Sequence, residues 1–231
     1  MSVIIAHASL DENRNIKNGQ AGDQTGKEVC TRSWYNKPWS YVIRFRDKNR
    51  ANRLADAMEM ASKNDKIGYD QNQRNTLLRE ARKHNYNISK VDVPCETDCS
   101  ALVSVACMYA GVPESVLVLS GNCANTRNLR QLLIQMGGVD VFSTPAYTAH
   151  TDKLRRGDIL LKPGSHVAVV VKDEVPVETS INSDTMMIDK IAKEVIAGKW
   201  GTGAERKQRL RAAGYNPAMV QARVNELLKK G

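Results

Sequence analysis

The feature that most constrains this chain is the passage from Glu96 to Pro113. Thr97 and Asp98 are helix N-cap residue types, and they are followed by a run of apolar residues: Ala101, Leu102, Val103, Val105, Ala106, Met108, Tyr109 and Ala110. Gly111 and Pro113 then stop the run, as a helix end requires. The pattern predicts a helix from Cys99 to Ala110 with the cysteine in its first turn. A thiol there lies among unpaired backbone N–H groups at the positive end of the helix dipole, and both favour the nucleophilic thiolate.

The other cysteines narrow the chemistry. There are five, Cys30, Cys95, Cys99, Cys107 and Cys123, an odd number with no CxxC spacing. Neither a disulfide framework nor a metal site is implied, and no cofactor is called for. The chemistry is then expected from a cysteine and a base. His166 opens the Val-rich strand pattern His166–Val171 just after the Pro163-Gly164 turn. An imidazole near the thiol takes its proton and returns it to the leaving amine. His7, His84 and His150 lie in polar stretches and have no such setting. Glu178, on an expected return strand with Val177 and Thr179, is the candidate to orient His166, and Asp158 in the Gly157-Asp158 turn is its rival.

The rest of the first 180 residues reads as α+β. Residues 1–38 are polar and rich in turn formers, with one short strand pattern within Lys27–Tyr35. Alternation over Trp39–Phe45 predicts a strand, and apolar spacing predicts helices over Asn49–Ala61, Gln71–Lys83 and Asn125–Met136. Val139–Ser143 and Ile159–Leu161 are further strand patterns. Asp23, Gln24, Thr25 and Glu28 read as a surface loop. Residues 181–187 form a linker, and 188–231 is a separate unit of three short helices parted by glycine stops.

Charge separates the two parts. Of the net +9, residues 188–231 carry +6, from ten Lys and Arg against four Asp and Glu. A basic tail fits a polyanionic partner. Nucleic acid is disfavoured, because no nucleic-acid-binding motif is present and aromatic residues make up only 5%. No apolar run is long enough to insert in a membrane. The start, Met1–His7, lacks the basic flank of a signal peptide. Synthesis is expected in a cytoplasm, with any export by another route.

Thr97-Asp98-Cys99-Ser100-Ala101-Leu102-Val103 resembles the Asp-Cys-Ser-Gly-Leu-Val block of NlpC-type papain-like cysteine peptidases. Leu154–Leu160 and Gly164–Val170 resemble that family's Gly-Asp strand and Gly-His-Val block, in the same order. The resemblance implies a papain-like domain, helices on an antiparallel sheet, with Cys99, His166 and Glu178 as the catalytic set. It places Asp98, Ser100 and Tyr69 near the substrate. Ala101 stands where the family has glycine, and Glu178 where histidine or asparagine is commoner.

The tail resembles the short three-helix cell-wall-binding repeat of pneumococcal-type phage lysozymes, through Ile191–Gly201, Glu205-Arg206, Ala213-Gly214-Tyr215 and Val220–Asn225. That implies a muropeptide-binding surface at Trp200, Arg206, Tyr215 and Arg223. Together the two resemblances imply a phage-type endolysin cutting the peptide part of peptidoglycan. A D-glutamyl (or D-glutaminyl)–diamino-acid endopeptidase is the first expectation. The alternatives are an N-acetylmuramoyl-L-alanine amidase or a non-catalytic wall-binding protein. Met186 and Met187, just before the repeat, allow an internal start whose product would associate with the full chain.

Overall fold

The structure is a computed structural model that describes residues 2–173, 188–213 and 215–229. Two compact units divide the chain, Met1–Glu174 and Val175–Gly231. The first is α+β. Its strands are β1 (Ile4–Ala8), β2 (Val29–Ser33), β3 (Tyr41–Phe45), β4 (Ile67–Tyr69), β5 (Cys95–Thr97), β6 (Val118–Leu119), β7 (Asn122–Cys123), β8 (Val139–Phe142), β9 (Ile159–Lys162) and β10 (His166–Lys172). Its helices are α1 (Lys48–Ala61), α2 (Thr76–Arg82), α3 (Cys99–Tyr109), α4 (Glu114–Leu117), α5 (Leu129–Met136) and α6 (Pro145–Thr148).

Six strands form one antiparallel sheet in the order β2-β1-β10-β9-β3-β8. Alternation along β10 sorts its residues between two cores. Val167, Val169 and Val171 join the main core with Leu54 and Met58 of α1 and Leu102 and Val105 of α3. Ala168 and Val170 join a smaller cluster with Val3, Ile5, Trp39, Val42, Leu154 and Leu160. The sheet is therefore covered on both faces, and β1 is buried almost throughout.

That burial explains what the sequence pattern missed. A strand covered on both faces has no polar alternation to reveal it, so β1 is absent from the expectation of a polar, turn-rich start. Two expected helices also begin later than their apolar spacing implied. Residues 71–75 turn instead of coiling, with Asp70 Oδ1 accepting from the Asn72 amide at 2.6 Å. Asn125 Oδ1 holds a similar turn before α5.

The parallel pair β4–β5 delivers the chain to α3. Gly111, at φ 94°, ends that helix, and the Val112 amide returns to the Cys107 carbonyl. At Gly157, φ is 87°, and an added Cβ would stand 2.4 Å from the Ala51 carbonyl oxygen, so only glycine fits this turn against α1. Glu178 and its expected strand lie outside the described residues, as do Met186 and Met187.

The second unit has helices over 188–196 (α7), Gly203–Ala212 (α8) and Pro217–Lys229 (α9). Ile191, Ala192, Val195, Leu210, Val220 and Val224 form its core. Among the described residues no helix is long and apolar enough to cross a membrane.

Asp158 is fully buried and accepts two hydrogen bonds from Arg44, each 2.7 Å, and one from the Arg155 amide at 2.8 Å. It sits at the far end of the β9–β10 pairing from His166, so it ties the sheet and does not orient the imidazole. Asp158→Ala should lower the unfolding free energy of the first unit by about 2–4 kcal/mol, since it strands a partly buried guanidinium. Urea denaturation measures this, and a change under about 0.5 kcal/mol would contradict the assignment.

Candidate active site

Asp98 determines where α3 begins. Its Oδ1 accepts from the amides of Ser100 (2.9 Å) and Ala101 (2.7 Å), which caps the helix and leaves Cys99 as its first residue. Arg74 holds the cap from outside. It donates to Asp98 Oδ2 at 2.6 Å and to Ser100 Oγ at 3.0 Å, and also to the carbonyls of Cys123 and Ala124. Asp98 and Ser100, expected at the substrate, are buried with their side chains engaged in this network. Arg74 was missed because a lone arginine in a polar stretch carries no sequence signal.

Cys99 is 6% exposed. Burial pushes its pKa up to about 12, and the Asp98 carboxylate acts in the same direction. The Val167 amide, the Arg74 guanidinium and the Ser100 amide pull it back only in part. The thiolate expected of a helix-start cysteine is therefore not its resting form: lost hydration outweighs the helix N-terminus.

Tyr69 is buried near this sulfur, and burial raises its pKa, with the Cys99 charge adding to the rise. Its amide donates to Glu28 Oε2 at 2.9 Å. Glu28 is almost fully buried, and Asp23 gathers the preceding loop by accepting from the amides of Thr25, Gly26, Glu28 and Val29. The segment read as a surface loop is thus a clamp that sets the strand bearing Tyr69. Tyr35, half-buried, also has its pKa raised, first by burial and, as a smaller cause, by the Cys99 charge.

His166 lies one residue before the Val167 amide that faces the thiol. Among the described residues no hydrogen bond joins Cys99 to His166. The imidazole is instead stacked on Trp39, with ring centres 6.0 Å apart, and its Nε2 lies 2.8 Å from Nδ1 of His7. His7, set aside with the polar, turn-rich start of the chain, is flanked by Ile5, Ala6 and Ala8 and is 2% exposed on β1. Burial is the main cause that lowers both rings, His7 to about 4 and His166 to about 3, and the nearby cations Arg32 and Lys37 add to it. Both are neutral at physiological pH. Among the described residues no group of three or more His, Cys, Asp or Glu is placed to hold a metal ion.

Residues 5–176 match the family described as "Endolysin-like domain". The chain belongs to this family. Residues 189–228 of the endolysin-like chain match the CW_7 repeat. The lysozyme of Streptococcus phage Cp-7 is 37% identical over 83 residues, covering 35% of this chain and 24% of that protein, so the chain spans about a quarter of its relative's length. No solved structure matches.

Within the CW_7-like segment, Trp200 and Tyr215 meet edge to face at 5.9 Å and pack on the helix core, with Trp200 Nε1 donating to Glu194. Arg223 is paired with Asp189 and Glu226. Of the four residues expected at a wall-binding surface, Arg206 alone lines the groove between α8 and α9, beside Lys207, Arg211, Gln221 and Asn225.

The histidine pair predicts an acid sensitivity with a definite sign. Each ring has its pKa depressed by folding, so the unfolded chain binds more protons as pH falls. The associated stability is complete above about pH 6.5 and is lost progressively as pH falls from there, down to about 4 for His7 and about 3 for His166. Urea midpoints measured from pH 7 to pH 4 should drop less steeply in His7→Asn than in the parent, by about one proton of linkage. Identical slopes would mean that His7 is not buried and neutral.

Proposed function

We propose that this chain is a phage-type endolysin, a peptidoglycan hydrolase whose first unit cuts an amide bond and whose second unit holds the wall. The observation that carries the reading is the Cys99 thiol at the start of α3, facing the amide next to His166, in a member of the endolysin-like domain family that ends in a CW_7-like segment. The NlpC-like blocks around Cys99 and His166 support a papain-like cysteine mechanism.

In this mechanism Cys99 Sγ attacks the amide carbonyl as its proton passes to His166. The Cys99 backbone N–H, free at the helix start, stabilises the oxyanion. His166 then protonates the departing amine, and water hydrolyses the thioester. The resting pair is neutral, so the thiol is activated during attack and not beforehand. Ring and sulfur, not hydrogen-bonded in the unliganded protein, close up when substrate binds, as catalytic contacts that are long in the unliganded state often do. Tyr69 and Tyr35 line the approach to the sulfur.

The bond we favour is that of a D-glutamyl (or D-glutaminyl)–diamino-acid endopeptidase; muropeptide mass spectrometry would separate it from an N-acetylmuramoyl-L-alanine amidase. The groove bearing Arg206, Lys207 and Arg211 is the candidate wall contact of the second unit, with Trp200 and Tyr215 shaping it from the core. A module started at Met186 or Met187 would add wall contacts by avidity.

Cys99→Ala should abolish turbidity loss of Gram-positive cells while leaving peptidoglycan pull-down unchanged. Lysis persisting in Cys99→Ala would refute the cysteine mechanism, and loss of pull-down would place wall binding in the first unit. Removing residues 188–231 should reduce lysis of whole cells more than hydrolysis of soluble muropeptides, because the tether raises local concentration.

A further inference from the structure

β1 runs antiparallel between β2 and β10, with Ile5 opposite Val170 and Ala6 opposite Val169. Continuing that register sets His7 diagonally across from His166, on the face shared with Trp39. There His7 Nδ1 and His166 Nε2 stand 2.8 Å apart. Two neutral imidazoles at this distance share one proton, so one nitrogen donates and the other accepts. If His166 accepted, its own N–H would sit on Nδ1, and the ring could not take a proton from the thiol through that atom. If His166 donates, Nδ1 carries the lone pair.

We propose that His7 is the positioning residue of the site: its Nδ1 accepts the Nε2–H of His166 and so holds the ring in the tautomer whose Nδ1 serves as base for Cys99. The inference rests on the cysteine mechanism above and assigns to β1 the orienting role that the family resemblance gave Glu178. Protons balance through the cycle. The Cys99 proton passes to His166 Nδ1 as the carbon–sulfur bond forms, and it leaves on the amine as the carbon–nitrogen bond breaks. The Nε2–H stays on His166 throughout, and His7 never changes its protonation.

Trp39 seals the contact. Its ring is stacked on His166 with 27° between planes, is 4% exposed, and is fixed by its Nε1 donating to the Tyr35 carbonyl at 3.0 Å. Water is thereby kept from competing for the nitrogen–nitrogen hydrogen bond. Tyr35 lies 6.3 Å from the His7 ring and closes its other side.

The test uses the full chain. Long-range 1H–15N spectra of the 15N-histidine-labelled protein should show His166 protonated at Nε2 and bare at Nδ1. His7→Leu should shift that ring to a mixture of tautomers and lower kcat on soluble muropeptides by about 10²–10⁴-fold, with KM little changed. His7→Asn places Oδ1 where Nδ1 was, and should recover at least about tenfold of the loss. A wild-type spectrum with His166 protonated at Nδ1 overturns the proposal, and so does a folded His7→Leu with unchanged kcat. The spectrum needs no turnover, so it decides even if His7→Leu does not fold. Cys99→Ala run alongside separates the two readings: an inactive Cys99→Ala with a fully active His7→Leu removes only the role of His7, whereas an active Cys99→Ala removes the mechanism itself.

Discussion

The Asp98 carboxylate is the interaction on which the rest of the site depends. One oxygen caps α3 and the other takes the Arg74 guanidinium, so a single side chain sets both where the helix starts and what packs against its first turn. Arg74 extends the restraint to the carbonyls of Cys123 and Ala124, which tie the β7 turn to the same point. Cys99 is held by all of this without making any of it. Burial is the main cause that keeps the Cys99 thiol protonated, and the same carboxylate adds to it by raising the cost of a negative sulfur.

The imidazole side of the site is built by a different logic. His166 is positioned by strand register and by two rings, and the strand that supplies the nearest nitrogen comes from the very start of the chain. Placing β1 inside the sheet, between β2 and β10, makes the N-terminal residues part of the core. The loop between β1 and β2 is drawn in with them: Asp23 gathers its amides, and Glu28 grips the Tyr69 backbone. A polar, glycine-rich stretch thus braces the strand that carries Tyr69, the residue whose hydroxyl feels the Cys99 charge.

In the second unit two aromatic residues support the small helix core while staying partly exposed. Trp200 and Tyr215 stabilise a bundle too small to be held by a few aliphatic residues alone, and they meet edge to face against its core. The charge that gives the tail its +6 is carried by long side chains, and Arg206, Lys207 and Arg211 gather in the groove between α8 and α9.

By itself the sequence determined whatever local periodicity and punctuation encode. That includes the helix opening on Cys99 with its Asp98 cap, the one-sided helices α1 and α2, the strands β3, β9 and β10, and three short tail helices parted by glycine. Each is legible because its signal lies within about one to three turns or one strand length of chain. Only the tertiary structure decided that His7 meets His166, that Arg74 holds the cap, that Glu28 is a buried clamp, and that the thiol rests protonated. His7 and His166 are separated by 159 positions and joined by the pairing of β10 with β1, a strand buried on both faces that has no alternation to announce it. The charge state of Cys99 depends on how completely the fold strips water from the sulfur, a quantity that belongs to packing and not to any residue pattern.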